Sequence, residues 1–291
     1  MQGGKDKNVK INPSKPHKAR RLSTGRVLNA VIGHPLSHSR SPKLHNPVYE
    51  RLKLNARLLP FSHPDIKVLV SAIRMLPIHL TAVTMPHKQS IMSLLDTVDS
   101  AAKKVGALNT VINRGGKLHG YNTDIDGIRY ALRGVTLKDR NVLLVGAGGA
   151  AYAVGYVVKE GGGNLLYLNR TPQKAKKLQK MFGGLLVREG ELREEGIDVI
   201  INATPLGMYP ETSAIPIPEK LLHKHQTVFD LVYNPVETKL LKLAKKKGAQ
   251  TISGLEMFAV QGLRQIELST GKKIINGTVV ERVKRNILND K

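Results

Sequence analysis

From residue 27 onward, short runs of β-branched and aliphatic residues alternate with longer stretches in which apolar positions recur every three or four residues. That alternation predicts an α/β chain of strands joined by covering helices, arranged in two consecutive series. In the first series, strands are predicted over 27–32, 57–61, 80–83 and 110–112. Helices are predicted over 41–54, 64–75 and 88–104, the first opened by Ser41 with Pro42 at its first position. The second series starts with a strand at 141–145, a glycine-rich turn and a helix to about residue 160. Strands at 164–168, 198–203 and 227–231 follow, with helices at 172–181 and 237–247. From about residue 254 the pattern reads as two helices, the second starting near residue 276. No internal repeat interrupts the series.

A length of 291 residues with 41% hydrophobic content supports two domains. No apolar run reaches the length of a membrane span and no apolar signal segment opens the chain, so a soluble, cytoplasmic protein is expected. The absence of cysteine excludes disulfides, thiol catalysis and cysteine-ligated metal. A formal net charge of +24 raises the question of nucleic acid or an acidic membrane surface. Its distribution argues against both. Residues 1–26 hold eight Lys or Arg against one Asp, and the remaining excess is spread over helical faces such as Lys174, Lys176, Lys177 and Lys180. Four Phe and no Trp leave few platforms for stacking on single strands. No specific nucleic-acid partner and no membrane are expected. Residues 1–26, almost without large apolar side chains, read as a disordered basic arm or a fusion remnant.

Gly146-Ala147-Gly148-Gly149-Ala150-Ala151 directly follows the apolar strand and opens a helix. Small residues there let the backbone approach a pyrophosphate, and the helix N-terminus offers free N–H groups and a favourable dipole. A ligand-free strand-to-helix turn would use the same glycines. The next strand separates the two readings, because it ends Asn169-Arg170-Thr171 where an NAD site carries an acid for the ribose 2′-hydroxyl. The Arg170 guanidinium suits a 2′-phosphate, Asn169 and Thr171 can donate hydrogen bonds, and Lys174 adds charge one turn on. NADP is therefore expected over NAD.

Ile32-Gly33-His34-Pro35-Leu36-Ser37-His38-Ser39-Arg40-Ser41-Pro42, Val83-Thr84-Met85-Pro86-His87-Lys88, Gly106-Ala107-Leu108-Asn109-Thr110 and Asn122-Thr123-Asp124 stand in that order. After the Gly146 turn come Asn169-Arg170-Thr171, Asn202-Ala203-Thr204-Pro205-Leu206-Gly207-Met208, Asp230-Leu231-Val232-Tyr233-Asn234-Pro235, then Gly254, Met257 and Gln261. Through this series the chain resembles the shikimate dehydrogenases from Gly25 nearly to its C-terminus. The resemblance implies a substrate domain of residues 27–123 plus 254–291 and a Rossmann-like NADP domain of residues 124–253. It implies reversible NADPH-dependent reduction of 3-dehydroshikimate to shikimate, a step toward chorismate and the aromatic amino acids, in a monomer or homodimer.

On that resemblance Lys88 and Asp124 would be the catalytic pair. Lys88 would stabilise charge developing on the C3 oxygen and deliver its proton, and Asp124 would align it. Ser39 and Ser41 would hold the substrate carboxylate, with Tyr233 beside it. Thr84, Asn109, Asp124 and Gln261 would read the hydroxyls. Gly146, Gly148, Gly149, Ala150, Thr204, Met208 and Gly254 would join Asn169, Arg170, Thr171 and Lys174 around the cofactor. Taken without the resemblance, Lys88 is a solvated lysine at a helix start, Asp124 an N-cap, and Ser39 and Ser41 helix caps. His34, His38 and His87 lack ordered ligand spacing and read as loop histidines, so no metal is expected. Ala82 stands where the family commonly has Asn, Ser269 where an aromatic is frequent, and Asp126 where Gly is frequent; a second carboxylate there could perturb Asp124. Rival readings are a quinate/shikimate dehydrogenase using NAD, and a basic nucleotide- or RNA-binding protein without catalysis.

Overall fold

The computed structural model describes residues 27–37, 39–193 and 196–289; the arm expected at residues 1–26 and His38 lie outside the described residues. The chain builds two six-stranded sheets. Contributing to the first are β1 (Val27–Gly33), β2 (Ala56–Ser62), β3 (Leu80–Val83), β4 (Thr97–Val98), β5 (Thr110–Arg114) and β6 (Lys117–Tyr121). They alternate with α1 (Ser41–Arg51), α2 (Ile66–Met75), α3 (Ser100–Val105) and, after β6, α4 (Asp124–Ala131). The order is β2-β1-β3-β5-β6-β4. β1 lies parallel to β2 and β3, and β4 parallel to β6, whereas β5 runs antiparallel to β3 and β6.

That antiparallel hairpin was not expected, although its cause is local. Gly115 and Gly116 adopt φ of 62° and 88°, the left-handed backbone that a two-residue hairpin turn demands. The helix expected over 88–104 is also replaced. The Asp96 carboxylate accepts the Leu118 N–H at 2.7 Å, which holds the chain alongside β6. Asp99 then caps a new, short α3 by accepting the Ala102 N–H at 2.8 Å. Two side chains that bond backbone thus overrule a run of helical periodicity. The open edge of β2 is covered by α1: Asn46 donates to the Leu58 carbonyl and accepts the Leu58 N–H at 3.2 and 2.8 Å.

The second sheet comprises β7 (Asn141–Val145), β8 (Asn164–Leu168), β9 (Leu185–Leu186), β10 (Val199–Asn202), β11 (Thr227–Asp230) and β12 (Gln250–Ser253). Its helices are α5 (Gly149–Glu160), α6 (Pro172–Phe182) and α7 (Lys239–Lys246). Every strand is parallel to its neighbours and the order is β12-β11-β10-β7-β8-β9, the doubly wound arrangement. Val142, Leu143, Leu144, Ile200, Ile201, Val228 and Phe229 are fully or almost fully buried, because helices cover both faces. The topological switch lies between β7 and β10, which places the ligand crevice beyond Val145 and Asn202.

α8 (Gly254–Thr270) and α9 (Gly277–Leu288) return the chain to the first sheet. Leu255, Ala259, Leu263 and Ile266 of α8 share a core with Val280, Val283 and Ile287 of α9 and with Leu44, Val48 and Leu58. Each such leucine, isoleucine or valine side chain contributes about 1.5–3 kcal/mol on burial. Among the described residues no helix is long and apolar enough to cross a membrane.

Candidate active site

Three loops at one end of the first sheet are stitched together by backbone. His34 N donates to Met85 O (2.9 Å), Thr84 N to Ile32 O (2.9 Å) and Leu108 N to Lys88 O (2.8 Å). A Cβ on Gly33 would stand 2.7 Å from Met85 O and 2.9 Å from Leu36 Cδ2, so only glycine permits this approach. Half-buried Thr84 and Lys88 are presented on the same turn.

Lys88 Nζ donates to Asp124 Oδ2 at 2.6 Å, with the two side chains 13% and 4% exposed. This lysine is not a solvated helix start: residues 85–89 form a turn. Asp124 is the first residue of α4 and not its cap, a position held by Thr123, and its carboxylate is committed elsewhere. Asn109 Nδ2 donates to Asp124 Oδ1 at 2.8 Å and to Gln261 Oε1 at 3.1 Å, so both carboxylate oxygens are bonded. Asn109 is itself held in one orientation, since its Oδ1 accepts from Thr123 N (2.7 Å), Thr123 Oγ1 (3.1 Å) and Thr110 Oγ1 (2.9 Å). A buried ion pair of this kind is costly to break from one side, about 3–5 kcal/mol.

At the start of α1, Ser39 Oγ accepts a long 3.5 Å bond from Ser41 N, and Arg40 occupies the cap position without a side-chain cap bond. Serine capping therefore does little for this helix, whose N-terminus stays available to an anion. The Arg40 guanidinium is spent on Asn234 Oδ1 (3.1 Å) and Ile287 O (3.2 Å), which draws the 233–235 loop and α9 to the serines. Tyr233 is stacked on Phe258 at 4.1 Å between ring centres. Burial raises its hydroxyl pKa, and nearby Arg40 opposes that.

In the second sheet Gly146 takes φ 102°, and its N–H donates to Leu168 O at 2.9 Å. A Cβ there would lie 2.8 Å from Thr204 Cγ2, whereas one on Gly148 would meet nothing within 4 Å. The open approach at Gly148, the first turn of α5 with Ala150 behind it, and the crevice position fit a dinucleotide pyrophosphate. Asn169 Nδ2 donates to Thr171 O at 2.7 Å, turning the chain after β8. Arg170, Thr171 and Lys174 face solvent on this rim. Thr204 donates through N and Oγ1 to Asn202 Oδ1 (3.0 and 2.6 Å), and Met208 N to Pro205 O (3.0 Å), so both residues sit on a shaped loop beside Gly146. Gly254 is buried, and a Cβ there would meet the Leu231 and Val232 backbone; its absence of a side chain serves packing.

The three departures from the expected pattern engage partners other than the pair. Ala82 packs in the apolar core with Val31, Leu44 and Ala259. Asp126 faces Arg264 at 3.7 Å; burial raises its pKa and Arg264 opposes it. Ser269 closes the end of α8 by donating to Ile266 O. Among the described residues no group of three or more His, Asp or Glu could hold a metal; His87 is buried on His63 O and His34 lies near Ser62.

Some supporting residues escaped the sequence reading. Gln265 Nε2 donates to Asn109 O (3.0 Å) and Thr110 Oγ1 (3.1 Å), fixing Asn109 from below. Its spacing of four from Gln261 was the available signal. His45 is fully buried, which pushes its pKa down to about 4. Asp230 accepts from Asn202 Nδ2 (2.9 Å), Thr238 Oγ1 (2.6 Å) and Val232 N (3.0 Å), tying together the loops that follow β10 and β11. Its burial pushes its pKa up to about 6 despite those bonds. Polar residues closing the apolar strands Val199–Asn202 and Thr227–Asp230 were the clue.

Comparison with known proteins bears on this geometry. The family model for the shikimate dehydrogenase substrate binding domain matches residues 31–111. A Methanococcus maripaludis protein named shikimate dehydrogenase (NADP(+)) is 41% identical over 258 residues, 84% of this chain and 92% of the relative. Its namesake from Methanocaldococcus jannaschii is 38% identical over 271 residues, covering 87% and 96%. Among solved structures, shikimate dehydrogenase from Aquifex aeolicus superposes with a TM-score of 0.84 at 36% identity, covering 91% of this chain and 99% of that one. The Thermus thermophilus enzyme in complex with NADP(H) and shikimate gives a TM-score of 0.81 at 35% identity, covering 90% and 99%.

Proposed function

The chain belongs to the shikimate dehydrogenase family, and from that premise we propose that Lys88 and Asp124 handle the proton while 3-dehydroshikimate is reduced reversibly to shikimate. The enzyme is an NADP-dependent oxidoreductase of the pathway to chorismate and the aromatic amino acids. The observation that carries the assignment of the pair is the buried 2.6 Å contact between Lys88 Nζ and Asp124 Oδ2.

NADPH, when bound, supplies the hydride. As the C3 carbonyl accepts it, charge grows on the oxygen, and the Lys88 ammonium stabilises that charge and gives up its proton to form the alcohol. Asp124 keeps the ammonium aimed, and Asn109 keeps Asp124 from rotating through the bond to Oδ1. Thr84, Asp124 and Gln261 read the ring hydroxyls, and Asn109 reads one by giving up its bond to Gln261 Oε1. Ser39 and Ser41, at the α1 N-terminus beside Tyr233, anchor the carboxylate. Gly146, Gly148, Gly149, Ala150, Thr204, Met208 and Gly254 shape the cofactor crevice. Arg170, with Asn169, Thr171 and Lys174, holds the 2′-phosphate.

We divide the chain into a substrate domain of residues 27–123 plus 254–291 and an NADP domain of residues 124–253; the core shared by α8, α9 and the first sheet supports this. All the groups named come from one chain, so a monomer or a homodimer would carry the same site, and a cytoplasmic location suits two soluble reactants. The test is formation of reduced nicotinamide, followed by absorbance, with shikimate and NADP and in parallel with quinate and NAD. Turnover confined to shikimate with NADP is expected. Faster turnover of quinate with NAD would overturn the substrate and cofactor preference.

A further inference from the structure

We propose that Gly149 is a positioning residue for Lys88, pressing the cofactor-bearing helix α5 directly against the stem of the proton donor. The inference rests on the reading of Lys88 given above. The third position of the dinucleotide fingerprint, which ordinarily admits close packing of the helix on its own sheet, is Ala151 in this chain, and Gly149 stands at a variable position before it. Here the neighbour belongs to the other sheet. A Cβ on Gly149 would stand 2.9 Å from Lys88 Cβ, 3.1 Å from Cδ and 3.4 Å from Cγ, so most of the lysine stem lies along this one residue.

The lysine has little freedom to give way. Its backbone is held by Leu108 N donating to Lys88 O at 2.8 Å, and its tip by Asp124 at 2.6 Å. Gly149 has no left-handed backbone to explain its presence, and alanine is the better helix former. The three glycines of the turn therefore differ. Gly146 satisfies a φ of 102° and a close pass by Thr204, Gly148 opens onto space for a phosphate, and Gly149 leaves room for Lys88. The position of α5 thereby sets the direction in which the ammonium points.

The experiment compares Gly149→Ala, Gly148→Ala and Lys88→Ala in the full chain by steady-state kinetics, NADP affinity and thermal melting. Restoring ordinary carbon contact moves the stem by most of an ångström, so Gly149→Ala should lower kcat roughly tenfold to a hundredfold with KM for shikimate changed less than about threefold, and any loss of NADP affinity should be smaller than that of Gly148→Ala. Tm should fall only modestly, since overpacking of one methyl costs about 1–3 kcal/mol. Gly148→Ala, which fills the space offered to a phosphate, should instead show its main loss in NADP affinity. Added to Lys88→Ala, the Gly149 change should produce less than about a twofold further loss, because it acts through the side chain already removed. An unchanged kcat in Gly149→Ala beside an inactive Lys88→Ala would overturn the coupling alone, as would an equal loss in both backgrounds or a collapse of Tm. Full activity in Lys88→Ala would remove the coupling together with the reading of Lys88.

Discussion

Polar groups at the end of the first sheet are engaged with one another, whereas those on the rim of the second sheet face outward. Lys88, Asp124, Asn109 and Gln261 form one buried, mutually bonded set, with Asn109 restrained from several sides. At the second sheet, Arg170 and Lys174 stand exposed, and the turn at Gly146 offers backbone in place of side chains. On the roles proposed above, the difference follows from what each end must do. Proton transfer needs geometry settled before substrate arrives, because reorganising charge in a dry site is slow and costly. A cofactor that comes and goes is better met by exposed cations whose desolvation is small. Damage at the first end should therefore appear in turnover, and damage at the second in cofactor affinity.

The largest break in that comparison comes from Lys88→Ala. Steady-state assays should show kcat lower by about 10²- to 10⁴-fold, the usual worth of positioned acid–base catalysis, with NADP affinity almost unchanged. Retained turnover would mean that the buried pair is structural. At the other end, Arg170→Ala should weaken NADP by about tenfold to a hundredfold, the worth of charge-assisted hydrogen bonds to a phosphate, and leave NAD unaltered. Titrations with both cofactors decide it, and equal losses would rule out the 2′-phosphate contact.

A smaller effect separates the two halves by pH. Asp230, in the second half, has a folded pKa of about 6, raised by burial above its unfolded value. It binds a proton more readily when folded, so the stability it contributes is present at low pH and lost as pH rises through about 4 to 6. His45, in the first half, is held near 4 by burial, so the stability due to its neutral form is present at high pH and lost as pH falls below its unfolded value toward 4. Denaturant melts of Asp230→Asn against the parent should show the parent losing stability relative to the variant as pH climbs from 4 to 6, by about 3 kcal/mol at most. A constant difference across that range would show that Asp230 is ionised throughout.

Much of this molecule was legible before any coordinates. Val27–Gly33, Asn141–Val145 and Asn164–Leu168 were found within a residue of their limits, because strands under covering helices are written as short, mostly apolar runs. The Gly146 turn and Arg170, the residues proposed for phosphate, stood out because such binding relies on backbone and neighbouring residues, which are contiguous in sequence. The short β4 and β9, and the edge strand β12, were missed, since partly exposed edge strands lack that signature.

Hydrophobic period, turn chemistry and charge placement thus determined the α/β class, the two series and the position of the dinucleotide turn, because each is encoded between neighbours along the chain. Only the tertiary structure decided that Lys88 is buried on Asp124 and not solvated, that Asp124 turns away from its own helix, and that Asn109, Gln261 and Gln265 converge from residues as far as 156 apart. It alone brought Gly149 against Lys88. Contacts of that kind depend on how two sheets and a returning helix pack, and no local pattern carries the relative placement of distant segments.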